Sequence, residues 1–258
     1  MTTPVSRAPA WVTATPIAHR GLHDMTRGIP ENSLAAFAAA ADAGYAAELD
    51  VWLSRDRVPV VFHDTDVSRL TGATGLVREF SASELGRLRL LGTDEPIPTL
   101  AAVLDAVAGR VPLFLELKAH QGRTDGIEPA VAELLESYTG RVAVISFHPL
   151  ALRWFRRNRP DIPRGQTSSD FRDVVLNPAV LKAALRDFRL NGLSRPHFVT
   201  YDLRALPSAP ASRVRAAGLP LIAWTVRNAA DLDRAVALAD QYVFEGMRPY
   251  HGATETAP

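Results

Sequence analysis

The chain has 258 residues, 47% of them apolar and 22% charged, enough to bury a sizeable core and too hydrophobic to stay disordered. Its 29 basic and 28 acidic side chains leave a formal charge of +1, so the overall charge gives no reason to expect a nucleic acid or an anionic membrane as partner, and any attraction for anions is local. Cysteine is absent, which excludes disulfides, thiolate nucleophiles and cysteine-ligated metals and permits a cytoplasmic location.

Pro4, Pro9 and Pro16 interrupt the first eighteen residues, unlike a secretory signal, and no run of 18 apolar residues offers an integral membrane segment. Strand-like runs follow at 17–20, 46–52, 113–118, 142–147, 164–166, 198–201, 221–226 and 242–244. They alternate with alanine- and leucine-rich helical stretches at 32–43, 100–108, 128–138, 150–157, 178–188, 213–217 and 229–239. Asn32 stands where the first helix needs an N-cap, and Gly44 where it should stop. Eight strands, regular alternation and a length near 250 predict a (β/α)8 TIM barrel domain over 11–250. The stretch 53–111 is too long for one βα loop. It holds a strand candidate at 58–62, a Gly72/Gly75 turn and a helix near 83–87, which predicts a small insertion after strand two on one barrel face. The first ten residues and the tail after Tyr250 are expected to fray.

Chemistry concentrates at the strand ends. Glu48 and Asp50 lie two positions apart in an otherwise apolar strand, so their side chains share one face. In a closed barrel that face points inward, where an unpaired carboxylate is costly. Glu116 and Lys118 repeat the spacing on strand three. Three carboxylates from neighbouring strands can converge there, and such hard oxygen donors suit Mg2+ or Ca2+; the competing account is a structural ion pair of Glu48 or Glu116 with Lys118. His19 and His63 follow apolar runs, where barrel strands meet the active-site mouth, and imidazoles titrate near neutrality as general acids and bases do. Arg20 and Lys118 bring permanent charge that a phosphate would satisfy. This set matches phosphoryl transfer better than glycoside hydrolysis, which needs only two carboxylates.

The ordered series His19-Arg20-Gly21, Pro30-Glu31-Asn32-Ser33, Glu48-Leu49-Asp50-Val51, His63-Asp64, Glu116-Leu117-Lys118 and Trp224-Thr225-Val226 resembles the glycerophosphodiester phosphodiesterase family. The resemblance implies a barrel with an insertion at 53–111 and a divalent ion on Glu48, Asp50 and Glu116. It implies His19 and His63 as the acid and base pair, Arg20 and Lys118 on the phosphate, and Trp224 lining the pocket for the alcohol. The expected reaction cleaves a small glycerophosphodiester to glycerol 3-phosphate and an alcohol, with His19 as base and His63 as acid. The alternatives are a lysophospholipase D-like or sphingomyelinase D-like lipid phosphodiesterase, or a non-catalytic phosphate-binding barrel. The chain departs from the family's Thr-Asp-x-Pro pattern at Phe244-Glu245-Gly246-Met247-Arg248-Pro249, and from Thr-x-Asp-Gly at Ser54-Arg55-Asp56-Arg57.

Other residues have plainer readings. Phe147 serves either the pocket wall or the core. Glu31 either favours a helix start or orients Arg20. Trp52 and Trp154 are packing residues. Arg153, Arg156, Arg157 and Arg159 form a solvated outer face. His23, His120, His148, His197 and His251 lack comparable partners in sequence.

Overall fold

The computed structural model describes residues 7–119, 124–172 and 179–250; His120, His251, the first residue of the helix expected at 178–188 and most of both termini lie outside them. All eight expected runs form strands. The set is β1 (Ile17–Ala18), β2 (Ala46–Leu53), β3 (Pro59–Val61), β4 (Leu113–Leu117), β5 (Val142–Ser146), β6 (Arg164–Ser168), β7 (Phe198–Asp202), β8 (Leu221–Val226) and β9 (Gln241–Phe244). Every strand but β3 runs parallel, and β1 closes the sheet by pairing Ile17 with both Ala46 of β2 and Val243 of β9. The result is a closed eight-stranded (β/α)8 barrel. β3 lies antiparallel on the end of β2, with Val61 opposite Val51.

The helices are α1 (Leu34–Asp42), α2 (Ser68–Thr71), α3 (Ala82–Leu85), α4 (Leu100–Val107), α5 (Ile127–Leu134), α6 (Pro149–Asn158), α7 (Ala179–Arg186), α8 (Asn191–Ser194), α9 (Ala209–Ala216) and α10 (Ala229–Leu238). α1 begins one residue later than expected: Ser33, not Asn32, is its N-cap, with its hydroxyl accepting from the Ala36 amide at 3.1 Å. α9 begins four residues before the expected 213, because Ser208 caps it and Pro210 fits its first turn. Arg156 is not merely solvated; it donates to the Gly192 and Leu193 carbonyls at 3.2 and 2.9 Å and ties α6 to α8. Within 53–111, α4 packs on α1 as a barrel helix, so the added elements are β3, α2 and α3 with their turns.

Three apolar clusters follow from these faces. The largest lies between the sheet and its helices. A second fills the barrel, where Phe114 meets Phe198 edge-on at 5.9 Å and Trp11, from a turn across the open end, meets Phe114 at 5.8 Å. Gly165 makes room there, since a Cβ on it would stand 2.3 Å from the Phe198 ring. The third, Val60, Phe62, Val67, Leu70, Val77, Leu85, Leu90 and Ile97, belongs to the added segment. Among the described residues no helix is long and apolar enough to cross a membrane.

Candidate active site

Strand alternation sends Ala47, Leu49 and Val51 of β2 into the outer cluster, which leaves Glu48 and Asp50 on the inner face. Register then places Asp50 opposite Glu116 of β4. One oxygen from each of Glu48, Asp50 and Glu116 lies within 4.8 Å of the others. Glu48 and Asp50 are 3% and 1% exposed, a depth at which carboxylates need compensation. Lys118 supplies part of it, with Nζ 2.7 Å from Asp50 and 2.6 Å from Glu116. Arg20 supplies more, its backbone amide donating to Glu48 at 3.1 Å and its Nε standing 3.6 Å from Asp50. The structural ion pair foreseen for Glu116 is therefore present together with the acidic cluster.

Electrostatics divide the carboxylates. Burial, with Asp50 and Glu116 close by, pushes Glu48 well above the usual carboxylate range. Burial also opposes the Asp50 charge, but Lys118, His63 and Arg20 outweigh it and hold Asp50 low. The Lys118 charge is likewise opposed by burial and kept by Asp50 and Glu116. With Glu48 ionised, three carboxylates would stand against two permanent cations, and its Oε1 is buried with no hydrogen-bond partner. A small hard cation fits that oxygen cluster.

The histidines stand on opposite supports. His19 follows β1, its amide donating to the Phe244 carbonyl at 2.9 Å. Its Nδ1 bonds the Glu245 carboxylate and its Nε2 lies 4.0 Å from Glu48. Burial pushes His19 below its ordinary range, although Glu245 pulls the other way. Burial would raise Glu245, but His19 and Arg227, whose Nε donates at 2.6 Å, bring it down to about 2. His63 follows β3, with Nδ1 2.6 Å from Asp64. Arg69 of α2 donates to Asp64 at 3.1 Å and to Glu31 at 2.8 and 3.2 Å, and Glu31 accepts from Arg20 at 2.7 Å. An unbroken ion-pair chain thus runs from the added segment to the acidic cluster.

A cavity of about 270 Å3 is lined by His19, Arg20, Glu48, Asp50, His63, Glu116, Lys118, Phe147 and Trp224 together. Phe147, one of these lining residues, meets Trp224 edge-on at 5.9 Å. Glu31, read as favouring a helix start or orienting Arg20, contacts Arg20 and is not among the residues lining the cavity. Sequence reasoning missed five supporting residues. Asn32 holds Asp50 (Nδ2 to Oδ2, 2.9 Å) instead of capping a helix. Asp64 and Glu245 stood inside motifs without an assigned partner, while Arg69 and Arg227 carried no local signal. His197, whose Nδ1 accepts from the Arg164 amide at 3.0 Å, and His148 lie outside this cavity.

Residues 19–245 match the model of the glycerophosphoryl diester phosphodiesterase family. YhdW of Bacillus subtilis (strain 168) is 33% identical over 224 residues, covering 82% of this chain and 86% of that one. A glycerophosphodiester phosphodiesterase of Caldanaerobacter subterraneus subsp. tengcongensis is 27% identical over 232 residues, 85% and 88% of the two chains. Among solved structures, an Oleispira antarctica phosphodiesterase in complex with the product sn-glycerol-3-phosphate superposes with a TM-score of 0.75 at 27% identity, over 90% of this chain and 92% of that one.

Proposed function

We propose that this chain, which belongs to the glycerophosphoryl diester phosphodiesterase family, cleaves a glycerol-linked phosphodiester to glycerol 3-phosphate and a free alcohol with a divalent ion on Glu48, Asp50 and Glu116. Membership itself makes the protein a phosphoric diester hydrolase acting on glycerophosphodiesters. The observation that carries the rest is the convergence of three carboxylates, two permanent cations and two imidazoles in one cavity. The product complex of the Oleispira antarctica relative supports glycerol 3-phosphate as the retained half.

Mg2+ or Ca2+ suits the all-oxygen donor set, and such an ion supplies polarisation of the phosphoryl oxygens and acidification of the attacking hydroxyl. Arg20 and Lys118 hold the phosphate, the first as a fork of donors and the second as a point charge. Arg20 Nε, buried and without a hydrogen-bond partner, is a donor still to be used. His19, kept neutral by burial, takes the proton of the attacking oxygen as its bond to phosphorus forms. His63, steadied by Asp64, gives a proton to the alcohol oxygen as the old P–O bond breaks. One water is consumed, and the proton lost at one imidazole is returned at the other. Glu31 positions Arg20, while Trp224 and Phe147 border the alcohol. Residues 11–250 act as one domain.

A panel of glycerophosphodiesters, assayed in excess chelator and then with each divalent ion restored, tests this reading. We expect no turnover under chelation and recovery with Mg2+ or Ca2+; full activity in chelator would refute the ion's part.

A further inference from the structure

We propose that two threonine hydroxyls on the floor of the acidic cavity, Thr167 Oγ1 and Thr200 Oγ1, select the glycerol half of the substrate by hydrogen-bonding its terminal hydroxyl; this rests on the activity proposed above. Among the described residues, twelve buried side-chain polar atoms lack a hydrogen-bond partner, and five of them belong to residues lining this one cavity. Glu48 Oε1 and Arg20 Nε are taken by the ion and the phosphate, and Trp224 Nε1 lies on the wall assigned to the alcohol. The hydroxyls of Thr167 and Thr200, residues 3% and 2% exposed, are left without a use. A buried hydroxyl is costly to leave unmatched, so two of them side by side in a binding cavity call for a polar ligand group.

Strand register makes the pair. Thr167 of β6 lies opposite Thr200 of β7, and alternation turns both inward: Val199 and Tyr201 belong to the outer cluster, while Phe198, two residues before Thr200, fills the barrel. Gly165, two residues before Thr167, makes room for that ring. The hydroxyls therefore stand one layer above an apolar plug that includes Phe198, Ile145 and Val243, and this end of the cavity is closed. The opposite side is open, since a groove of about 900 Å3 shares His63, Glu116, Lys118, Phe147 and Trp224 with the cavity and continues past Phe171, Leu181 and Leu185. Alcohols of differing size have room on the open side, whereas the closed end of a 270 Å3 cavity suits the half that is the same in every substrate. With the phosphate on Arg20 and Lys118, the terminal hydroxyl, two carbons beyond the ester carbon, is the group that reaches deepest. A threonine hydroxyl both donates and accepts, as that hydroxyl does, while a metal ion or a phosphate oxygen would use only one of the two roles.

The test compares glycerophosphoethanolamine with its analogue lacking the terminal glycerol hydroxyl, each assayed with Mg2+ or Ca2+. The analogue keeps the phosphate, the leaving alcohol and the middle hydroxyl, so only the contact with the floor is removed. We expect its kcat/KM to lie about tenfold to a hundredfold below that of glycerophosphoethanolamine, because it strands the two threonine hydroxyls. The double variant Thr167→Val with Thr200→Val keeps the side-chain shape and removes both hydroxyls; it should lose most of its kcat/KM on glycerophosphoethanolamine, far less on the analogue, and so bring the two substrates within about threefold of each other. A change that merely disturbs the fold lowers both substrates by one factor and preserves the gap. Equal kcat/KM for the two substrates in the parent protein, or a gap that survives in the double variant, would overturn the inference and leave the activity standing. Calorimetric titration of the Mg2+-loaded protein with sn-glycerol 3-phosphate, and with the same phosphate lacking the terminal hydroxyl, gives a second measure that needs no turnover. A Kd at least about tenfold lower for sn-glycerol 3-phosphate, with the difference lost in the double variant, supports the floor contact, and equal values in the parent protein reject it. Should no substrate react with any divalent ion, the activity falls and this titration alone decides the role of the threonines.

Discussion

Lys118 joins the half-buried Glu116 and the buried Asp50 at 2.6 and 2.7 Å, and its removal should be felt first as instability. Deleting one partner of a buried ion pair strands the other charge, at a cost of about 3–5 kcal/mol. Lys118→Met should therefore lower the urea-unfolding free energy by that amount in ion-free buffer, and abolish the turnover that Mg2+ or Ca2+ restores to the parent; an unchanged unfolding midpoint would show that the pair contributes nothing net. His197 makes a separate prediction away from the cavity. Burial and the nearby Arg164 charge lower its pKa to about 4 from the ordinary 6.5. The unfolded chain then binds the proton more readily, so the native state is favoured fully above pH 6.5 and loses that advantage as pH falls from 6.5 toward 4. The shift corresponds to roughly 3 kcal/mol. Unfolding free energies at pH 7 and pH 4 should differ by about that much more in the parent protein than in His197→Gln, to the accuracy of such linkage arguments.

At the scale of elements, the added segment is a support for His63, the acid of the proposed reaction. β3 delivers His63, α2 delivers Arg69, and a small cluster of its own holds the two together. Leu70, 2% exposed, lies in that cluster beside Arg69. Leu70→Ala should cost about 2–5 kcal/mol through the cavity it leaves. Because the barrel's clusters are separate, the far-UV circular dichroism of the barrel should persist while kcat falls. Retained activity would mean that His63 is held without help from the insertion. Gly21 governs the other support. It adopts φ +78°, and a Cβ there would lie 2.8 Å from the Ala36 backbone and side chain, so the turn that carries Arg20 toward Glu31 requires glycine.

For the molecule as a whole, an ion that binds only the closed barrel must stabilise it. At a hundredfold excess over Kd the gain is about 2.7 kcal/mol, or roughly 2–4 °C in Tm per kcal/mol for a chain of this size. Mg2+ or Ca2+ should therefore raise the Tm by several degrees, chelator should reverse the rise, and Glu48→Gln should abolish it. A Tm indifferent to every divalent ion would count against the oxygen cluster as an ion site.

The barrel, its eight strands and the charged residues of its mouth were legible in the linear chain, because strand and helix periods state which side chains share a face, and Glu48 with Asp50 needed only that. The partners of those groups were not. His19 meets Glu245 across 226 positions through closure of the sheet by β1 and β9, and Arg69 meets Glu31 across 38 from the segment added after β2. Asn32 and Ser33 could each cap α1; the choice fell to Ser33 because the buried Asp50 carboxylate takes the Asn32 amide. The groove beside the cavity was equally invisible in sequence, since its wall is assembled from loops and helices that local periodicity does not orient toward one another.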